Sequence, residues 1–331
     1  MSKYRPKNSI QITDQDCNML SDSDSDSDEK SIDIAKTATL KQPIVKLSQE
    51  AIIEKLKGQA LRELEINKKP DEVQISTMTV TCRLPTKFLC DNIAYYVDLK
   101  HNGILSVTCG IAGDPKTNRS IIYKKKASGK KKKTRLIFFN QVSMYITVKG
   151  KKNKPVNAKI FSNGSIQMTG CLTIDNAIEV LTKILPELRN VKAIVDYKTK
   201  TVIEKPFATD IELLTMDNIF DFKVAMINSN FVMPLKIDRP KLYNLMLAEG
   251  YECLYDPNKH ACVNIKFEHP DKTISVFVFE NGPIIITGAR NCDQILCAYN
   301  FINKYLLTHV KAIVKNDGLT NSSIIKYLES V

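Results

Sequence analysis

"AKIFSNGSIQMTG" at 158–170 and "SVFVFENGPIIITG" at 275–288 spell one short hairpin twice: Phe161, Gly164, Thr169 and Gly170 return 118 residues later as Phe279, Gly282, Thr287 and Gly288, without a gap. A repeat at a fixed distance marks a duplicated structural unit. Strand alternation in the first copy sends Phe161, Asn163, Ser165, Gln167 and Thr169 to one face, and Ile160, Ser162, Ile166 and Met168 to the other. The Met and Ile face is the expected core. The mixed face, with Phe279, Asn281, Pro283, Ile285 and Thr287 as its second copy, has the composition of a contact surface. Gly164 falls at the turn, where the missing Cβ lets the chain reverse.

Outward from each hairpin the repeat continues. After the first Thr-Gly, a helix starts near Thr173 with Ile174, Ala177, Ile178, Leu181, Leu185 and Leu188 on one stripe. After the second, Asn291 and Gln294 stand in capping-box spacing ahead of Ile295, Ala298, Ile302 and Leu306. A weaker correspondence precedes both hairpins: "VQISTMTVTCRLP" (73–85) against "FKVAMINSNFVMP" (222–234), two strands that each run into a proline and then an amphipathic segment. Each half reads strand, helix, several antiparallel strands, helix. An antiparallel sheet with helices packed on one face leaves its other face free, so the expected class is α+β with a wide open surface.

The flanks are of different character. Residues 1–45 form an acidic tail centred on "SDSDSDSDE" (21–29), which has no apolar face to bury and is expected to be disordered. "LSQEAIIEKLKGQALRELEI" (47–66) puts Ile52, Ile53, Leu56, Ala60 and Leu64 near one face behind a Ser48 cap, a flanking helix within 46–70. The expected domain plan is a first half at 71–192 with a basic insertion at 112–136, a linker at 193–221, a second half at 222–315 and an extension at 316–331. Within the insertion, "YKKKASGKKKKTR" (123–135) carries eight bases and reads as a solvated loop. It suits phosphate contact or nuclear import, neither of which needs order.

The chain has 331 residues and a formal net charge of +12, and the acidic tail leaves the remainder at about +14. That balance points to an anionic partner, of which nucleic acid is the commonest. No run of about 18 apolar residues exists, and the nine cysteines lack paired short spacing. The expectation is an intracellular chain without a disulfide framework.

The two hairpins, of the form Ile/Val-Phe-x-x-Gly-(four residues)-Thr-Gly, resemble those of the TATA-binding proteins. "FDFKVAMINS" (220–229) is similar to that family's strand opening the second half, and "YDPNKHACVNIKF" (255–267) to its segment beginning Tyr-x-Pro. The acidic tail, the lysine loop and the divergence look most like the members encoded by giant DNA viruses. The resemblance implies a pseudo-twofold saddle of two repeats, each a five-stranded antiparallel sheet with two helices on the convex face. It also implies the family's mechanism, in which the concave face enters the DNA minor groove and apolar wedges kink the duplex. Carried over residue by residue, Phe161 and Phe279 are wedges, and Thr169, Thr287, Gln167 and Ile285 touch groove edges. Thr77 and Asn228 lie in the central base-reading region, and Lys266 contacts phosphate.

Some positions depart from the family pattern. The second wedge Phe of the second half is His260 here, followed by Ala261 and Cys262, and that of the first half falls near Gln141, with Phe138 and Phe139 close by. The central Asn aligns with Thr77 and Met226, with Asn228 two residues on, and a hairpin Lys is Ser165 and Pro283.

The implied role is a general transcription initiation factor that binds and bends A/T-rich double-stranded DNA. Its implied partners are transcription factor IIB-like and other initiation factors, with RNA polymerase reached indirectly, in a nucleus or a cytoplasmic viral factory. A second reading stays open, in which the saddle serves protein contacts in transcription without bending DNA. The residues offer no Ser-His-acid set, no phosphate-cradling glycine loop and no carboxylate-rich metal motif, so no enzyme and no cofactor is expected. Cys253, His260, Cys262 and His269 match no compact zinc spacing, and alternation along strands scatters them.

Overall fold

The computed structural model describes residues 48–109, 118–122, 140–150 and 154–315. The acidic tail, the lysine loop 123–135 and the extension 316–331 lie outside the described residues. The chain divides into two units, and the architecture below is that of Leu47–Val331.

Helix α1 (Gln49–Leu64) starts where Ser48 Oγ accepts a 3.2 Å hydrogen bond from the Ala51 N–H, and it buries Ile52, Leu56, Ala60 and Leu64 at four-residue spacing. Next come β1 (Gln74–Arg83), α2 (Cys90–Tyr96), β2 (Ile104–Cys109), β3 (Asn118–Ser120), β4 (Gln141–Ile146), β5 (Val156–Phe161), β6 (Ser165–Cys171) and α3 (Ile174–Arg189). A separate two-stranded ribbon follows, β7 (Lys192–Asp196) with β8 (Thr201–Lys205). The chain then runs β9 (Phe220–Val232), α4 (Arg239–Ala248), β10 (Cys253–Leu254), β11 (Cys262–His269), β12 (Lys272–Phe279), β13 (Pro283–Ala289), α5 (Cys292–Thr308) and the short α6 (Val310–Ile313).

Eleven of these strands form one antiparallel sheet in the order β10-β11-β12-β13-β9-β1-β6-β5-β4-β2-β3. β1 and β9 are long and lie side by side at its middle, with Asn228 opposite Thr77 and Met226 opposite Thr79. One face is the core: Ile160, Ile166, Met168, Val276, Val278, Ile284 and Ile286 are fully buried, with Leu181 and Ile184 of α3 and Ile295, Ala298 and Ile302 of α5 in the same cluster. Removing that apolar surface from water is the main stabilising term. The other face keeps solvent access, and the side chains at 165, 167 and 169, and at 285 and 287, are half-buried.

Both hairpin-following helices begin as their sequences dictate. Thr173 and Asn176 make a reciprocal capping box at α3, and Asn291 accepts from the Gln294 N–H at 3.0 Å at α5. The structure departs from the expected plan in two places. β3 arises inside the expected basic insertion and adds an eleventh strand on β2, and the expected linker 193–221 contains the β7–β8 ribbon. β3 has no signal of its own, being three polar residues that take strand form only by pairing with β2, whereas β7 and β8 form a local hairpin closed between Asp196 and Thr201.

Candidate nucleic-acid interface

The solvent-accessible sheet face is organised around the two hairpin tips. Gly164 (φ +88°) and Gly282 (φ +95°) turn in the left-handed region. Each tip is fastened to the segment leaving a central strand. Leu84 N–H donates to Gly164 O at 2.9 Å and Phe88 N–H to Ser162 O at 3.1 Å; in the other half Met233 N–H donates to Gly282 O at 3.0 Å and Ile237 N–H to Glu280 O at 2.7 Å. A Cβ on Gly164 would stand 2.3 Å from Leu84 O, and one on Gly282 only 1.9 Å from Met233 O, so glycine is required by close approach as well as by φ. The second tip is further held by Glu280, whose carboxylate takes Arg239 at 2.6 Å and Lys315 at 2.8 Å. The Lys315 hydrogen bond, with Arg239 beside it, holds that carboxyl below its usual pKa.

Phe161 and Phe279 close β5 and β12 immediately before these turns, half-buried on the accessible face. Opposite them in register stand Gln141 on β4 and Cys262 on β11. His260 lies two residues ahead of β11, exposed, with its N–H on Asp256 O at 2.8 Å. The position across from Phe279 is therefore held by Cys262, whereas Gln141 is where the first-half match was expected. Phe138 and Phe139 lie outside the described residues.

Three of the expected groove residues are brought together. Asn228 Nδ2 donates to Thr77 Oγ1 at 3.0 Å, and Asn228 Oδ1 accepts from Thr287 Oγ1, a side-chain chain across β1, β9 and β13. Such mutual bonding holds the amide in one orientation, with its outer edge presented to whatever lies on the face. Thr169, Gln167, Ile285 and Lys266 are spread over β6, β13 and β11. Thr169 Oγ1 donates to Asn157 O at 3.3 Å, and Lys266 Nζ donates to Ser275 Oγ at 2.8 Å.

Register also names residues that spacing missed. Thr169 faces Thr79, as Thr287 faces Asn228, so Thr79 is the first-half counterpart of Asn228, at the same spacing that sets Thr77 over Met226. The register shifts at matching places in the two halves, where Gly170 is the extra residue on β6 and Gly288 the extra residue on β13. Lys159 and Phe277, each two residues before a hairpin Phe and on the same face, were legible in the alternation but not singled out.

The zinc spacing considered from sequence does not assemble as a set. Among the described residues the gathered metal-type donors are His269, Asp293 and Cys297, within 4.8 Å of one another. Asp293 Oδ1 already takes the Lys68 ammonium at 3.0 Å, and Lys68 also pairs with Glu65 at 2.9 Å, which makes this an ion-pair network joining α1's end to α5. No described helix is long and apolar enough to cross a membrane.

No protein-family model matches the chain. A relative, the TATA-box-binding protein-like protein of Acanthamoeba polyphaga mimivirus, is 36% identical over 275 residues, spanning 78% of this chain and 72% of that protein. Among solved structures, Methanococcus jannaschii TBP is 16% identical, with a TM-score of 0.41, covering 70% of this chain and 95% of that one.

Proposed function

The chain belongs to the TATA-box-binding protein-like family, and from that premise we propose that it is a transcription initiation factor that binds A·T-rich duplex DNA through the minor groove and bends it. The observation that carries the reading is the pair Phe161 and Phe279, placed at register-matched positions on one accessible sheet face and held there by tips fastened to the central strands. In this reading the sheet is a pseudo-twofold saddle of two five-stranded repeats, with β3 an addition to the first. The Phe rings enter base steps, which flexible A·T-rich sequence yields most readily. Thr169, Thr287, Thr77, Asn228, Gln167 and Ile285 meet the groove floor, where A·T pairs present acceptors and no protruding amino group. Lys266 meets phosphate.

The helices on the covered face serve protein partners, including a transcription factor IIB-like factor, and RNA polymerase is reached through them. No catalytic step is part of this role. The site of action is a nucleus or a cytoplasmic viral factory.

The test is the end-to-end distance of a short duplex, labelled at both ends, with an A·T-rich or a G·C-rich centre, measured with the full chain. Shortening on the A·T-rich duplex alone is expected. Binding without shortening would favour the alternative of a protein-contact scaffold. The lysine segment has a separable share: deleting 124–133, with its seven lysines, lowers the salt dependence of binding by about 0.9 in slope for each phosphate it contacts. The preference for A·T over G·C persists in that deletion, and its loss would contradict this division of labour.

A further inference from the structure

With its flanks, β7 reads "VKAIVDY" (191–197), a stretch that is chemically symmetric about Ile194. Ala193 mirrors Val195, Lys192 mirrors Asp196 with the charge reversed, and Val191 mirrors Tyr197. A strand laid antiparallel on a copy of itself about its central residue sets those positions opposite one another. The ribbon is free to do so. β7 and β8 make a two-stranded sheet of their own, so each keeps an edge with no strand beside it among the described residues. Such an edge is a template for another strand, and a lone two-stranded ribbon gains stability when more strands join it. Its apolar side chains lie open to water: Val195 is 53% exposed, Val202 opposite it 67%, and Tyr197 88%.

We propose that the free edge of β7 is a self-association surface, on which a second copy of this chain adds antiparallel about Ile194 to give a four-stranded sheet β8-β7-β7-β8. The ribbon's own register fixes what then lines up, since Ile194 faces Ile203 and Lys192 faces Lys205. On one face the central row runs Ile203, Ile194, the partner's Ile194 and the partner's Ile203. The rows on either side of it each set a Lys192 against an Asp196 of the other copy, an opposite-charge cross-strand pair. Lys192 already pairs with Asp98, just beyond α2, but an ammonium has three donors and serves both carboxylates. On the other face Val195 comes beside the partner's Ala193 and covers apolar surface that is now open. A two-residue slip in either direction sets one of the charges opposite Ile194, so the charges hold the register. β8 has no such symmetry: about Ile203 it would set Glu204 opposite Val202 and Lys205 opposite Thr201. The ribbon follows the end of α3, a helix of the covered face, so pairing there leaves the accessible sheet face open. The inference does not rest on the minor-groove reading.

Sedimentation equilibrium of the full chain over about 1–300 µM, at physiological ionic strength, tests this. Two short ribbons cover less than the roughly 1,200 Å² of a standard interface, so a weak dimer with a dissociation constant of about 10–100 µM is expected. Lys192→Asp alone and Asp196→Lys alone each oppose like charges at both ends of the contact and should weaken dimerisation about tenfold or more. Asp196→Lys keeps the pair with Asp98 that Lys192→Asp gives up, so a shared effect belongs to the edge. An equimolar mixture of the two chains restores both opposite-charge pairs and should dimerise again, a gain that misfolding cannot mimic. Ile194→Lys, which brings two ammoniums together on the dyad, should be monomeric. A bound A·T-rich duplex should leave the association in place. A chain that is monomeric throughout the range, a dimer that these variants leave unchanged, or a mixture that stays apart would overturn the proposal. So would a dimer that the duplex dissolves, since that contact would lie on the sheet face instead.

Discussion

Phe161→Ala combined with Phe279→Ala abolishes DNA bending while leaving weak, salt-sensitive association. Unstacking a base step costs a few kcal/mol, and a wedge offsets that by burying its ring between bases. A fully buried Phe side chain contributes about 1.5–3 kcal/mol, so losing both removes about 3–6 kcal/mol from the bent complex and nothing from phosphate contacts. The bent population should fall by about a hundredfold or more. Stability should change little by comparison, because both rings sit half-buried at strand ends outside the main core. The backbone around them is independently fixed: Gly164 N–H donates to Phe161 O at 3.1 Å and Gly282 N–H to Phe279 O at 3.2 Å. The readout is end-to-end energy transfer on the A·T-rich duplex beside a thermal melt of the protein. Bending equal to that of the unaltered chain would remove the wedge assignment.

What sequence reveals here follows the range of the forces involved. The duplicated hairpins, their buried face and the capped helices were legible because each rests on neighbours within a few residues: alternation in "IFSNGSIQM", a left-handed glycine, a Thr or Asn cap with its partner three residues on. The middle of the sheet was harder. β1 and β9 touch across about 150 residues of chain, and bulges near Met78 and between Thr287 and Ala289 shift which side chains meet. Thr79 and Asn228 keep the same spacing as Thr77 and Met226, so the aligned strands already contained the equivalent pair, but nothing local marked Thr79 as the residue that faces Thr169. His260 shows the same limit, since counting from Tyr255 reached it but β11 starts only at Cys262, which then faces Phe279. The contact between Lys68 and Asp293 joins residues 225 apart and has no local signature at all.

The largest loss of stability is expected from the smallest substitution, a single methyl at a hairpin tip. In Gly282→Ala the new Cβ would lie 1.9 Å from Met233 O and 3.1 Å from Leu235 O, at φ +95°. A left-handed alanine costs about 1–2 kcal/mol wherever it occurs. The clash adds to this, because the obstructing atoms are backbone carbonyls and relief must pull the tip from the strand exit, losing the 3.0 Å bond from Met233 N–H. The sum is about 3–5 kcal/mol, a large share of the 5–15 kcal/mol typical of folded proteins. Gly164→Ala should behave alike, with Leu84 O at 2.3 Å and Thr86 O at 2.6 Å. Gly250→Ala isolates the backbone share, since φ is +83° there and nothing lies within 4 Å of the added carbon. Gly58→Ala, mid-helix in α1 with only Arg62 Nη1 at 3.8 Å, should instead stabilise by about 0.5–1 kcal/mol. Urea titration of the four variants ranks them, and a Gly282→Ala no worse than Gly250→Ala would mean that the tip is not seated on the strand exit. Seating matters for function because Phe279 stands three residues before Gly282: a tip that lifts carries its wedge with it, so residual folded Gly282→Ala protein should bind DNA without bending it fully.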